Sequence, residues 1–299
     1  MTIPVLAHKI ILYFTGIISL LANGLLIVLL LHKTSTALGK YRVLLASFAL
    51  ADIAISLFNA WYTPICIMRE YGYLLFGERA LSLPPQRALL ANLTFSTTFY
   101  VPFVLLSLHF VYRLLSLTRP AFLRQRFWLF LLLSVMYTTA YLTAICILCN
   151  LMIKQGASYR FLEPLVSYDS SARALRNAFP IVYLDDYLQL NAPTAVSMTI
   201  VGALSAMSIL ISSVCIKKIL DSMKSKVMEI RTRRLHIQLF RALLIQFAVP
   251  CLFMLLPLTI VLALPLAGVA LGQLGNVCVL ITAFFPAIDP LLVTLSIAR

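Results

Sequence analysis

Charged residues are widely spaced along this chain, and between them lie seven long stretches that carry almost none. The stretches cover approximately residues 10–31, 43–68, 88–111, 127–151, 193–216, 242–264 and 274–297. Each holds about 20 or more mostly apolar residues, the length an α-helix needs to cross a hydrocarbon core of about 30 Å. The pattern predicts an all-α membrane protein, a seven-transmembrane helix bundle formed by a single domain over residues 1–299. No charged residue separates the sixth and seventh stretches, so the turn between them is placed at Pro265, Gly268, Gly272 and Gly275. The first stretch lacks a small-residue cleavage site followed by a polar region, and it reads as the first membrane helix rather than a signal peptide.

Composition agrees with that picture. The chain is 62% hydrophobic and 11% charged, against about 45–50% and about 25% in soluble domains. Lipid must cover what one compact core cannot hide. The net charge of +14 would suggest nucleic acid in a soluble protein. Here the basic residues sit in short loops, where membrane topology explains them without that partner.

Their distribution sets an orientation. Loops one, three and five together with Arg299 hold 16 Lys and Arg, whereas the N-terminus and the even loops hold 8. Six of the eight acids outside the stretches lie on the second side. The positive-inside rule puts the N-terminus outside and the C-terminus inside. One loop on the predicted outer side, Met152 to Asn191, is long and mixes polar, aromatic and acidic groups, which suits a cap over the bundle. The sequence has no internal repeat of the kind that builds transporters from duplicated halves.

Ionisable groups within a span are costly and become functional hypotheses. Asp52 lies near the middle of the second span. Asp289 lies in the inner half of the seventh, directly before Pro290, and Asn23 lies in the first. If those three helices pack together, the groups form either a polar cluster that rearranges with the bundle or a static network that sets helix register. Pro250, Pro257 and Pro290 remove backbone donors from the sixth and seventh spans, which suits a helix that swings and also occurs in static membrane helices. Arg113 ends the third span, where its side chain either serves a switch or snorkels to headgroups.

Six cysteines fall in or beside apolar segments without metal-ligand spacing, including the pair Cys146 and Cys149. Most simply they are small packing residues, although Cys66 and Cys149 could form one disulfide at the outer surface. None of the spans contains a lysine that could carry retinal. No paired catalytic groups or metal-binding histidines point to an enzyme, and no cofactor is indicated.

Several segments together resemble the Str class of nematode seven-transmembrane chemoreceptors, over nearly the whole chain. They are Gly39-Lys40-Tyr41-Arg42 followed by Leu44-Leu45-Ala46-Ser47-Phe48, then His109-Phe110-Val111-Tyr112-Arg113, then Gln238 to Gln246 with Pro250, and Phe285-Pro286-Ala287-Ile288-Asp289-Pro290. The resemblance implies a plasma-membrane G-protein-coupled receptor for a small odorant or other chemical cue, carried on the cilia of chemosensory neurons. By the same analogy Asn23, Asp52, Arg113, Pro250, Asp289 and Pro290 take part in activation. The basic residues Arg119, Arg124, Arg126, Lys217, Lys218, Arg231, Arg233 and Arg234 would face a heterotrimeric G protein.

Three departures stand out. The sequence stops at Ser296-Ile297-Ala298-Arg299, where such receptors continue into a cytoplasmic tail. Val293 stands where rhodopsin-like receptors carry tyrosine, and no outer-loop cysteine is present for their usual disulfide. The outer halves of the spans offer Trp61, Tyr62, Phe95, Thr97, Phe99, Tyr100, Tyr137 and Tyr141, as a ligand pocket or as ordinary interface aromatics. Alternatives to a signalling receptor are a secondary transporter coupled through Asp52 or Asp289, and a decayed receptor copy.

Overall fold

A computed structural model describes residues 5–32, 40–153, 159–168, 171–184, 189–225 and 230–298. Seven of its helices are long and apolar enough to cross a membrane. The first two are α1 (Val5–His32) and α2 (Tyr41–Tyr62). Strands β1 (Pro64–Arg69) and β2 (Gly72–Gly77) and the single turn α3 (Glu78–Leu81) follow. The third span is built from α4 (Pro85–Thr98) and α5 (Val101–Thr118). Next come α6 (Pro120–Gln125) and the fourth span, α7 (Phe127–Leu151). Within the long loop lie α8 (Tyr159–Tyr168), α9 (Ala172–Asn177) and β3 (Phe179–Val182). The fifth span is α10 (Ala192–Ser225). The sixth is α11 (Ile230–Pro250), a π-helical turn (Cys251–Leu255) and α12 (Leu256–Leu266), and the seventh is α13 (Gly275–Ala298).

Where the helices depart from the expected spans, prolines and charged ends explain it. The second stretch was expected to stay helical to residue 68, but the helix stops at Tyr62. Pro64 disfavours helical backbone at the residue before it, and Thr63 turns left-handed with φ 51°. The chain then reverses as a strand. In the third stretch the helix begins at Pro85 and continues to Thr118, interrupted at Phe99 and Tyr100. Pro102 has no N–H to give the carbonyl of Thr98, so the ladder breaks one turn earlier. Arg113 therefore lies inside α5 rather than at its end. The fifth helix runs past Lys217 and Lys218 to Ser225, because charged residues end a lipid-facing stretch without ending a helix.

One end of the bundle carries an antiparallel sheet of order β1-β2-β3, with Cys66 opposite Leu75 and Tyr73 opposite Ile181. Successive strand side chains point to opposite faces. Ile65, Ile67, Leu74 and Phe76 pack outward under Leu165 of α8 and Ala174 of α9, while Cys66, Met68, Leu75, Phe179 and Ile181 join the core of the bundle. Tyr62 closes against the chain at Gly77, where any side chain would collide with its ring and carbonyl. The turn before α13 is fastened to the sheet by Met68 N to Gly272 O and Gly272 N to Met68 O, each 2.9 Å. Gly272 makes that pairing at φ 54°, a conformation that glycine reaches without Cβ strain.

Among the helices, α1 packs on α2 and α13, and α11 packs on α13 and α5. Helix α10 packs on α5 and α7. The turn between the sixth and seventh spans lies at 267–274, within the predicted interval, with Gly268 also at positive φ.

Candidate functional site

Beneath the sheet the helices do not close up, and a cavity of about 390 Å³ remains. Phe95, Phe99 and Tyr100 form one wall, at the interruption between α4 and α5. Helix α10 contributes Val201 and Ser205, α12 contributes Leu258 and Val261, and α13 contributes Cys278 and Thr282. Cys66, Tyr73, Leu75, Phe179 and Ile181 of the sheet form the roof. No lining residue is charged.

The polar groups in this wall are few, and their hydrogen bonding is informative. Ser96, Ser205, Thr259 and Thr282 each donate to a carbonyl of their own helix, at 3.0, 2.8, 2.7 and 2.7 Å. Their oxygens retain only accepting capacity toward the cavity. Tyr73 and Tyr100 line it too. Tyr73 meets Tyr183 edge-on at 6.3 Å, and the buried Tyr183 hydroxyl has no partner among the described residues. Burial raises the Tyr73 phenol well above its usual range and pushes the Cys66 thiol up to about 12. Both therefore face the cavity as neutral groups.

Of the eight aromatic and hydroxyl residues expected at a pocket, Phe95, Phe99 and Tyr100 line it. Tyr62 lies one layer behind, stacked on Phe95 at 4.8 Å with its hydroxyl donating to Asn92. Trp61 is 37% exposed and packs against Phe58, away from the cavity. Thr97 turns back to the carbonyl of Thr94. Tyr137 and Tyr141 pack together at 6.1 Å on α7, outside the lining. All six cysteines are free thiols. The Cys66–Cys149 pairing that the sequence allows is thus not made, although both thiols line the same space.

A second polar region lies between α1, α2, α11 and α13. In a helix the carbonyl of residue 286 would accept from the N–H of residue 290, but Pro290 has none. Ser19 Oγ and Asn23 Nδ2 donate to the Pro286 carbonyl instead, both at 2.9 Å, and Ser56 Oγ donates to Ser19 Oγ at 2.7 Å. Asn23 thus reaches α13 through a carbonyl freed by proline. Asp52 and Asp289 are each 1% exposed and near enough to interact electrostatically. Gln246 Nε2 donates to Asp289 Oδ2 at 3.4 Å. Pro250 is buried one turn further on, directly before the π-helical turn.

Arg113 is 5% exposed and lies over the ring of Tyr41 at 5.2 Å. Tyr41 in turn stacks on Tyr112 at 5.5 Å. Among the described residues Arg113 makes no ion pair. Arg119, Arg124, Arg126, Lys217 and Lys218 are exposed near the helix ends remote from the sheet. Arg231, Arg233 and Arg234 belong to α11, but their side chains lie outside the described residues. No three His, Cys, Asp or Glu side chains converge to hold a metal among the described residues.

The loop expected to cap the bundle does supply α8, α9 and β3, but sequence reading did not anticipate β1 and β2, because residues 64–68 were absorbed into the second span. Two six-residue runs separated by Glu70-Tyr71 were the available hairpin signal. Ser19, Ser56, Gln246 and Tyr41 were also missed as members of the polar and cationic sites. A carbonyl freed by Pro290 was the cue for the first two.

The profile of the family described as serpentine type 7TM GPCR chemoreceptor Str matches residues 8–299. A Caenorhabditis briggsae protein named serpentine receptor class r-10 is 22% identical, covering 92% of this chain and 82% of its own. Its Caenorhabditis elegans namesake is 23% identical, covering 90% and 81%.

Proposed function

Because the chain belongs to the Str family of serpentine seven-transmembrane chemoreceptors, we propose that it is a chemosensory G-protein-coupled receptor whose small-molecule ligand occupies the cavity beneath the sheet. The observation that carries this reading is the cavity itself. Its volume of about 390 Å³ falls within the span of about 300–1,000 Å³ usual for small-molecule sites. An uncharged wall favours a neutral, mostly apolar molecule. Spare hydroxyl acceptors and the phenols of Tyr73 and Tyr100 offer it one or two hydrogen bonds. A ligand burying about 200 Å² of apolar surface gains about 5 kcal/mol before the cost of association.

Signalling then requires that occupancy of one end change the other. The sixth span is suited to this, since Pro250 and the π-helical turn break its ladder where it leaves the cavity toward the remote end, and Pro257 removes a further donor in the cavity wall. A ligand that fits one bundle state better shifts the population toward it. Asn23, Asp52, Asp289 and Pro290 adjoin the moving parts and serve as the relay, with Arg113 as the restraint. The N-terminus lies outside and the remote helix ends inside, in the plasma membrane of chemosensory cilia. There Arg119, Arg124, Arg126, Lys217, Lys218, Arg231, Arg233 and Arg234 present positive charge to the G protein.

The test is a panel of neutral small molecules applied to cells that display the receptor, with and without a co-expressed heterotrimeric G protein. A response requiring both the receptor and the G protein is expected. Surface-displayed receptor that binds members of the panel but never engages a G protein would overturn the signalling role.

A further inference from the structure

The cavity is closed above and open at the side, and we infer that its ligand enters from the bilayer, between α10 and α12, rather than from the water beyond the sheet. This rests on the cavity being the ligand site proposed above. The roof is two layers thick. Its inner layer, including Cys66, Phe179 and Ile181, is at most 2% exposed at those positions. On its far face Leu74 and Phe76 are 0% exposed beneath α8 and α9, as is Leu165 of α8 that packs on them. Passage that way requires parting strands that are hydrogen-bonded to one another and to the turn before α13.

The side is different. Gly202 and Ala206 of α10 and Thr259 of α12 line the cavity while remaining exposed on the outer surface of the bundle. A Cβ at Gly202 would meet nothing within 4 Å. The two helices have other principal partners. Helix α10 packs on α5 and α7, whereas α12 packs on α13 and the sheet. Gly202 is ten residues beyond the first residue of α10, about 15 Å along the helix. Thr259 is seven residues before the end of α12, or about 10 Å. In a spanning bundle that depth is hydrocarbon, and the opening faces lipid tails.

A route through lipid selects its traveller. The molecule must partition into hydrocarbon, which excludes ions and strongly hydrated solutes. The pathway therefore repeats the selection made by the uncharged cavity wall. Small residues at the gap keep it passable, and the bilayer concentrates the ligand beside it.

The test uses 3-trifluoromethyl-3-phenyldiazirine, an apolar photolabel that resides in bilayers, on the full chain in its membranes. Mapping the labelled residues is expected to find Phe99, Val261 and Cys278 among them. Gly202→Trp and Thr259→Trp, which plug the gap from opposite sides, should each cut that labelling at least fivefold. Ala203→Trp, exposed beside the gap but outside the cavity lining, should leave it unchanged, as should all three for labelling of exposed Trp128. An unlabelled cavity in the wild-type chain, or undiminished labelling with both plugs displayed and folded, would overturn lateral entry. The assignment of the cavity as the ligand site would stand in either case, because it fails on a different result, namely ligand responses that persist when the cavity is filled.

Discussion

The two ends of this bundle are held together by different means. At the sheet end, backbone hydrogen bonds knit β1, β2 and β3 and tie β1 to the turn before α13. Asn276 Oδ1 also accepts from Cys66 N at 2.8 Å, and Tyr71 N donates to Pro265 O at 3.0 Å. At the remote end the restraints among the described residues are looser. Arg113 lies over Tyr41, Lys40 lies over Phe127 at 4.9 Å, and His109 contacts the Leu44 carbonyl at 3.1 Å. An extended backbone network is expensive to deform, whereas a cation over a ring contributes only about 0.5–2 kcal/mol. The sheet end is thus fitted to keep a cavity in shape, and the remote end to change state.

The largest blow to the contrast should come from Gly77→Leu. Its side chain would enter the space filled by the ring and carbonyl of Tyr62, and overpacking of this kind costs about 1–3 kcal/mol or more. Thermal unfolding in detergent should begin several degrees earlier, and surface display should fall. Next is the α1–α13 joint. Asn23→Leu should cost about 0.6 kcal/mol, near the mean for hydrogen bonds between membrane helices. Ser19→Ala with Asn23→Leu removes both donors to the Pro286 carbonyl, and should cost about 2 kcal/mol. Thermal shifts of the two single variants and the double variant measure that excess over additivity.

At the remote end, Tyr41→Leu should leave folding nearly intact and shift the resting equilibrium roughly twofold to thirtyfold toward the active state. Raised basal signalling at matched surface display is the expected readout, with Tyr41→Phe near wild type because the ring remains. Arg113→Ala should reproduce Tyr41→Leu. The smallest effect belongs to Lys9→Ala. Its 2.7 Å ion pair with Glu78 is about 30% exposed on each side, and pairs of that kind contribute about 0–1 kcal/mol. No change in thermal stability beyond about a degree is expected.

Much of the bundle was legible because lipid imposes a simple rule on sequence. The fourth span, 127–151, could be bounded to the residue, since Arg126 precedes it and its apolar run ends with the helix. The turn before the seventh span carried no charge to mark it, and Pro265 with Gly268, Gly272 and Gly275 placed it. The hairpin of the roof was not legible, because Pro64 to Met68 is as apolar as a membrane helix, and only Pro64 and the Glu70-Tyr71 break between two short runs mark the reversal. Phe95, Phe99 and Tyr100 stood out as aromatics in the right half of the third span. Tyr73 and Ile181 did not, since their place in the wall depends on strand pairing across more than 100 residues. Arg113 looked like a helix end because a charge was taken to bound the third span, whereas α5 runs past it to Thr118.

The central claim, that a ligand in the cavity drives the receptor, is tested most directly by filling that cavity. Thr282 lines it from α13, and Thr282→Trp would place an indole in the ligand's space. Dose–response curves for an activating small molecule should be compared between wild type and Thr282→Trp at equal surface display, with Trp128→Ala on the exposed face of α7 as control. The account predicts loss of response in Thr282→Trp and an unchanged curve for the control. A filled receptor that responds with wild-type potency and amplitude would contradict it.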